Sequence, residues 1–285
     1  MQGQDSGARR RRSVLYVPAS NARAVDKART LGCDAVILDL EDSVAPEAKA
    51  EARAAMVAAV RTGFDGREVI VRCNGLDTPW GETDLKAAAR AGADAVLAPK
   101  IRTPADVAEV DRLFAHAGGQ VWAMIETAAA VLNLREIAGA AASTRLAGLV
   151  LGPNDLSAEL RCRLEPGRRP LQPILIQMVA AARAYGLVAL DGTHNDLDDL
   201  AGFEAECRQG REFGFDGKTL VHPNQIEACN RLYSPSPDEV AWARAVTAAF
   251  AAPDAEGKGA IRLQGRMVER LHLKDAERVV ALARD

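Results

Sequence analysis

The sequence lacks any apolar run long enough to span a bilayer, and no signal-type apolar segment follows the basic residues 9–12. The formal net charge is only −3, so the charge balance does not indicate a nucleic-acid or membrane partner. Cysteine is sparse, and its spacing does not match a metal site or a disulfide framework. The five cysteines are Cys33, Cys73, Cys162, Cys207 and Cys229. These absences favour a cytoplasmic protein with reduced thiols.

What the chain does have is a regular alternation of short apolar runs and alanine-rich helical segments. Eight runs rich in Val, Ile and Leu begin near Val14, Ala35, Glu68, Ala95, Val121, Leu146, Val188 and Lys218. The seven intervals from 14 to 218 average 204/7, or about 29 residues, close to a βαβ unit of roughly 30. Eight such repeats predict an α/β fold, a (β/α)8 TIM barrel. The alternative is a doubly wound open sheet, which favours a glycine-rich phosphate loop after the first strand, but residues 17–21 (VPASN) lack one.

The pattern divides the chain into three parts. Residues 1–12 are predicted to be a disordered tail, with a phosphate-binding arm as the alternative for the arginines at 9–12. Residues 13–233 are predicted to form the barrel. Residues 234–285 follow a Ser-Pro-Ser-Pro break and are predicted to be a C-terminal helical extension, serving as a lid or reaching a neighbouring subunit. The long gap at residues 156–170 is predicted to be an insertion loop at the active-site mouth.

Two apolar runs end in carboxylates. Residues 121–125 lead directly into Glu126, and residues 149–151 lead through Gly-Pro-Asn into Asp155. Catalysis in a parallel barrel occurs at the carboxyl ends of the strands, so we expect both acids at one mouth. Two such carboxylates suit a hard divalent cation that keeps coordination sites open for water and substrate. The sequence therefore predicts metal-assisted chemistry on an oxyanionic substrate.

Other charged residues end neighbouring runs. Arg72 is predicted to lie in the mouth, where a guanidinium can bind a carboxylate or enolate through two hydrogen bonds. Asp39, Glu41 and Asp42 follow the second run, and they either support the site or cap the next helix. Lys100 follows the fourth run, and it either supports the site or serves as a counter-ion to Asp39 or Glu41.

Seven short motifs, in order, resemble the group containing the citrate lyase beta subunit and malyl-CoA lyase, in the HpcH/HpaI aldolase and citrate lyase superfamily. The motifs lie at residues 15–19, 38–44, 71–75, 99–100, 124–128, 152–156 and 217–223. The resemblance implies Mg²⁺ as cofactor and a homo-oligomer, either a trimer or a hexamer. It also implies reversible carbon–carbon cleavage of a citryl-, malyl- or citramalyl-CoA type of 3-hydroxyacyl thioester. The products would be a 2-oxo acid and an acyl thioester, on coenzyme A or an acyl-carrier protein.

The resemblance also implies roles for single residues. Glu126 and Asp155 resemble the metal ligands, with Glu126 also facing the substrate. Arg72 resembles the arginine that binds substrate and stabilises the developing negative charge. The residues expected to hold these groups in place are Asp39, Glu41 and Lys100. The basic residues 161–169 are expected either to contact coenzyme phosphates or to lie in solvent.

One position departs from the family pattern. Residue 269 is Glu, where the family usually carries an Asp that reaches a neighbouring subunit's site as the acid/base. Glu269 keeps the carboxylate but changes its reach by about 1 Å, a misplacement that can lower a rate roughly a hundredfold. Residues 191–196 also differ from the family's usual sequence. Two alternatives therefore remain: a metal-dependent aldolase acting on free 2-oxo or hydroxy acids, and a non-catalytic homologue that binds an oxo acid.

Overall fold

Eight parallel strands close into a barrel in chain order, with β8 pairing back onto β1. The computed structural model describes residues 9–116 and 118–283. Its barrel strands are β1 (Ser13–Pro18), β2 (Ala35–Asp39), β3 (Glu68–Arg72), β4 (Ala95–Ala98), β5 (Gln120–Ile125), β6 (Leu146–Leu151), β7 (Val188–Asp191) and β8 (Gly217–Leu220). Each strand begins within one residue of the position that the sequence indicates. The predicted TIM barrel is confirmed.

Helices follow the strands, as the repeat predicts. They are α1 (Ala22–Ala28), α2 (Lys49–Thr62), α3 (Gly81–Ala91), α4 (Pro104–Leu113), α5 (Ala128–Leu132), α6 (Leu134–Gly139), α7 (Pro153–Leu160), α8 (Gln172–Tyr185), α9 (Leu200–Phe213) and α10 (Ile226–Tyr233). A capping box starts α4, in which the Thr103 hydroxyl accepts from the Asp106 backbone and the Asp106 carboxylate accepts from the Thr103 backbone. In the described part of the chain, no helix combines the length and the apolar character needed to cross a membrane.

The barrel interior changes from apolar to charged along β2 and β3. Ile37 and Ile70 belong to the buried core cluster inside the barrel. Since alternate residues of a strand face the same side, Asp39 and Arg72 face the interior two positions later, where β2 and β3 end. The fold therefore gathers charged side chains at the carboxyl end of the barrel.

Two arginines predicted to lie in the disordered tail are held by ion pairs. Arg11 donates to both Glu68 carboxylate oxygens, from Nε at 2.6 Å and from Nη2 at 2.8 Å. Arg12 pairs with Asp34, with its Nη2 2.8 Å from Oδ1. The tail prediction is wrong for these two residues, because each forms an ion pair with a partly or fully buried carboxylate. The same ion pairs do not support a role for Arg11 and Arg12 as a phosphate-binding arm. Residues 1–8 of the predicted tail lie outside the described residues.

The predicted insertion loop at 156–170 is shorter than expected. Residues up to Leu160 continue α7, and a 3-10 turn at Arg169–Leu171 precedes α8. Arg168, predicted to meet phosphates or solvent, is only 2% exposed, and its Nη1 lies 2.7 Å from Asp191 Oδ1. That arginine is therefore part of a buried ion pair.

The chain separates into two compact units, with residues 11–231 in one and the C-terminal residues from Leu232 in the other. The smaller unit contains α11 (Pro237–Ala251), β9 (Ala260–Leu263), β10 (Arg266–Glu269) and α12 (Arg270–Leu282). The antiparallel β9–β10 hairpin was not predicted for the helical extension. Its two turn residues, Gln264 and Gly265, both have positive φ angles, as a tight hairpin turn requires. A small core of Ala243, Val246, Val268 and Ala276 holds this unit together.

Candidate active site

A cavity of about 340 Å³ opens at the carboxyl end of the barrel strands. Four of the predicted site residues line it: Asp39, Arg72, Glu126 and Asp155. Tyr16, Asn154, Thr193 and Asn195 also line it and were not predicted as site residues. A cavity of this size is typical of small-molecule sites.

Glu126 follows β5 and is 1% exposed. Its Oε1 accepts a hydrogen bond from the Lys100 backbone N–H at 2.7 Å. Its Oε2 is buried and has no hydrogen-bond partner among the described residues. Burial raises the pKa of Glu126, with the Lys100 charge opposing the shift. A buried carboxylate oxygen without a partner is costly, and a cation would satisfy it.

Lys100 connects Glu126 to Asp155. Its Nζ lies 3.6 Å from Glu126 Oε1 and makes a closer contact with Asp155 Oδ1. One ammonium group reaches both carboxylates, so the two acids face a common space. Lys100 does not make the direct ion pair with Asp39 or Glu41 that was considered as an alternative.

The space beside these carboxylates fits a divalent cation. A Cβ added at Gly152 would come within 2.6 Å of Glu126 Oε2, so glycine leaves room for the Glu126 carboxylate at this position. Asp155 lies in the first turn of α7, where the helix dipole stabilises negative charge. Within residues 9–116 and 118–283, no group of three or more His, Cys, Asp or Glu side chains could hold a metal. An ion here would therefore take two carboxylates from this chain and complete its shell with water or substrate oxygens.

Arg72 is held in a fixed orientation on the same cavity. Its Nε and Nη2 donate to the two Asp39 carboxylate oxygens, each at 2.7 Å. Burial acts against ionisation of Asp39, but this bidentate contact holds the pKa of Asp39 below its ordinary value. The remaining nitrogen, Nη1, lies 3.2 Å from Oδ2 of the exposed Asp42. Asp39 thus orients the guanidinium, as predicted for a supporting residue.

Glu41 lies beside Arg72 as a largely protonated acid. Its Oε2 is 2.9 Å from Arg72 Nη1, but the groups are not aligned and the oxygen has no hydrogen bond to the described residues. Burial raises the pKa of Glu41 to about 8, although the Arg72 charge opposes the shift. Glu41 therefore carries a proton next to the guanidinium near neutral pH.

Replacing Glu41 by Gln should remove a pH dependence of stability. The folded pKa of about 8 exceeds the ordinary value near 4.5, so between these values the folded state binds a proton that the unfolded state releases. The free energy of unfolding should then fall as pH rises through this window, by up to about 1.4 kcal/mol per pH unit from this group. Urea unfolding in EDTA at several pH values should show a flatter profile for Glu41→Gln than for wild type. The exposed Glu47→Gln control should keep the wild-type slope, and an unchanged slope in Glu41→Gln would contradict the expectation.

An amide pair joins the start of α7 to the loop after β7 at the cavity rim. Asn195 Nδ2 donates to Asn154 Oδ1 at 2.8 Å, and Asn154 Nδ2 lies 3.4 Å from Asn195 Oδ1. Sequence reasoning noted residues 191–196 only as a departure from the family. The position of Asn195 just after a strand end was the available signal that it faces the site.

Glu269 lies in the C-terminal unit, at the last position of β10 and directly before α12. Its backbone N–H donates to His272 Nδ1 at 2.9 Å, which fixes the start of that helix. The role of its carboxylate in a neighbouring subunit stays a prediction.

Comparisons with known proteins identify the family of this chain. The model of the HpcH/HpaI aldolase/citrate lyase family matches residues 12–223. A (3S)-malyl-CoA thioesterase of Cereibacter sphaeroides is 46% identical, covering 95% of this chain and 94% of the relative. An L-malyl-CoA/beta-methylmalyl-CoA lyase of the same species is 35% identical, covering 97% and 95%. A crystal structure of CitE from Mycobacterium tuberculosis with magnesium, acetoacetate and coenzyme A is 33% identical, with a TM-score of 0.78 over 95% of this chain and 97% of that one. The chain therefore belongs to the HpcH/HpaI aldolase/citrate lyase family of carbon–carbon lyases.

Proposed function

We propose that this protein is an Mg²⁺-dependent lyase that reversibly cleaves a 3-hydroxyacyl-CoA of the malyl-CoA type into a 2-oxo acid and an acyl-CoA. The observation that carries the proposal is the buried Glu126 carboxylate in the cavity that Arg72 lines. This carboxylate has one oxygen without a hydrogen-bond partner among the described residues, and it shares with Asp155 a contact to Lys100 Nζ. The relatives named for malyl-CoA and the CitE complex with magnesium and coenzyme A support the metal and the thioester.

Glu126 and Asp155 would hold the metal and, through it, orient the hydroxy-acid end of the substrate. Bound Mg²⁺ supplies a Lewis acid for the hydroxyl and carboxylate oxygens. In the cleavage the hydroxyl proton would pass to water, the O–H electron pair would form the carbonyl of the 2-oxo acid, and the electron pair of the broken carbon–carbon bond would remain on the acyl thioester as its enolate.

Arg72 would stabilise that enolate. Asp39 occupies its Nε and Nη2, so we assign Nη1 to the substrate, which would compete there with the exposed Asp42 and the protonated Glu41. A donor fixed before the reaction stabilises developing charge without reorganising during it, commonly the largest single contribution to catalysis. Lys100, which contacts both proposed ligands, would keep their carboxylates in place, and Glu41 would support Arg72.

Glu269 of a neighbouring copy would protonate the enolate carbon, or remove a proton from it in the reverse direction. This assignment requires a homo-oligomer, which we propose to be a trimer or hexamer. A carboxylate one methylene longer than the family's usual Asp retains acid/base chemistry while altering its reach.

A second candidate is hydrolysis of the same thioester to a free hydroxy acid and coenzyme A. The observation in its favour is that the relative named (3S)-malyl-CoA thioesterase is 46% identical, against 35% for the relative named as a lyase. Both reactions act on the same thioester carbonyl, so the metal and Arg72 would serve in either.

Product analysis with (3S)-malyl-CoA separates the candidates. We expect glyoxylate and acetyl-CoA in equal initial amounts, no reaction in EDTA, and recovery on adding Mg²⁺. Malate and coenzyme A as the initial products would establish the hydrolase, and cleavage of free malate or citramalate would establish a free-acid aldolase. Calorimetric binding of oxaloacetate without any turnover would indicate a non-catalytic homologue.

In the (3S)-malyl-CoA assay, Glu269→Gln should lose cleavage while Glu269→Asp keeps it.

A further inference from the structure

Tyr16 places a phenol inside the cavity, and this phenol has no role yet in the proposed reaction. On β1, Val14 belongs to the buried barrel core, and Tyr16 packs against that core two positions later. The alternation of side chains along a strand therefore directs Tyr16 inward, one layer closer to the carboxyl end. It lines the cavity together with Arg72, Glu126 and Asp155.

Among the described residues, the ring of Tyr16 has a partner, whereas its hydroxyl has none. The guanidinium carbon of Arg72 lies 4.9 Å from the ring centroid, a cation–π contact. The hydroxyl makes no hydrogen bond to any residue in the described part of the chain. Tyr16 is half-buried and its hydroxyl is open to the cavity, so a molecule that enters the cavity can supply the acceptor.

Burial, more than the charges around it, keeps Tyr16 a hydrogen-bond donor. Burial raises the pKa of Tyr16; the Arg72 charge opposes the shift, and the nearby carboxylates of Asp39, Glu126 and Glu41 add to it. The hydroxyl therefore retains its proton over the working pH range and donates without transferring the proton.

We propose that Tyr16 donates a hydrogen bond to the thioester oxygen of the bound acyl group and strengthens it as that oxygen becomes negative. Glu126 and Asp155 provide acceptor oxygens suited to the metal and the hydroxy-acid end of the substrate. Arg72 and Tyr16 contact each other and provide donors suited to the thioester oxygen, on which the other negative charge develops. The inference rests on the proposed thioester function but holds for cleavage and hydrolysis alike, because both build negative charge on this oxygen.

Tyr16→Phe tests the hydroxyl alone, because the ring that contacts Arg72 is retained. We expect kcat with (3S)-malyl-CoA to fall about tenfold to a hundredfold, below or at the lower end of the roughly hundredfold to thousandfold range for losing one oxyanion donor, because Arg72 remains as a second donor. KM and the calorimetric affinities for Mg²⁺ and for oxaloacetate should stay within about twofold of wild type. The melting temperature should stay within about one degree of wild type. The matched control is Tyr185→Phe, whose side chain is 39% exposed on the surface and which should match wild type throughout.

A partial reaction separates this role from a general structural one. Exchange of the acetyl-CoA methyl protons with D₂O, followed by NMR in the presence of pyruvate, reports enolate formation without bond cleavage. For a lyase, Tyr16→Phe should slow this exchange by the same factor as kcat. Unchanged kcat in Tyr16→Phe, or a loss confined to Mg²⁺ or oxaloacetate affinity, would overturn the assignment. Failure of the wild-type protein to act on any thioester would instead overturn the proposed function.

Discussion

Replacing Glu126 by Gln should remove tight Mg²⁺ binding and nearly all turnover. The change keeps the size of the side chain, removes its negative charge and replaces one carboxylate oxygen with an NH₂ group. In the wild-type protein, Oε2 of this carboxylate is buried without a hydrogen-bond partner among the described residues. Loss of a direct ligand should weaken Mg²⁺ by more than the ten- to hundredfold seen for residues that only support ligands. Turnover should fall at least about a thousandfold, because several kcal/mol of Lewis-acid stabilisation are lost. Calorimetry with Mg²⁺ and the malyl-CoA assay measure the two effects separately.

The fold itself should survive this substitution. Burial raises the pKa of Glu126, so the ionised side chain is costly in the folded state and a neutral amide relieves that cost. The melting temperature in EDTA should therefore equal or exceed that of wild type. Glu136→Gln, a matched change on the exposed surface of α6, should alter neither Mg²⁺ affinity nor turnover. Wild-type Mg²⁺ affinity in Glu126→Gln would remove the basis for the metal site.

The barrel and the convergence of its acids were predictable because they depend on local patterns. Each buried strand is a short apolar run, and parallel strands with regular helical crossovers put their carboxyl ends at one mouth. That rule alone brought Glu126, Asp155 and Arg72 to one cavity. The strand ends therefore carried most of the information about the site.

The remaining features depend on contacts between distant residues. Lys100 pairs with Glu126 and Asp155 rather than with Asp39, because the paths of the loops after the strands decide which carboxylate it meets. Tyr16 was not predicted as a site residue, although inward alternation along β1 was available as a signal. The β9–β10 hairpin was not predicted either, since its strands of four residues are short.

Arg168 is the clearest case of a residue whose environment the sequence concealed. It lies in a basic segment that reads as a solvated loop, yet its Nη1 is 2.7 Å from Asp191 Oδ1. Lys218, fully buried, lies 3.2 Å from Asp191 Oδ2 and 3.1 Å from Glu206 Oε2. Glu206 Oε1 in turn lies 3.1 Å from His194 Nδ1. The network surrounds the end of β7, from which the loop carrying Asn195 to the cavity rim departs.

Replacing Arg168 by Met should therefore be among the most destabilising changes in the barrel. Asp191 is completely buried, and although burial opposes its ionisation, Lys218 and Arg168 together hold the pKa of Asp191 below its ordinary value. Removing one of the two cations leaves a buried carboxylate incompletely compensated, which typically costs about 3–5 kcal/mol of unfolding free energy. Urea unfolding at neutral pH measures the loss, and the exposed neighbour Arg169→Met is the matched control, with an expected change below about 0.5 kcal/mol. Equal stability of the two variants would mean that Lys218 alone compensates Asp191. A double variant, Arg168→Met with Asp191→Asn, should recover part of the loss, because it removes the uncompensated charge itself rather than only its partner.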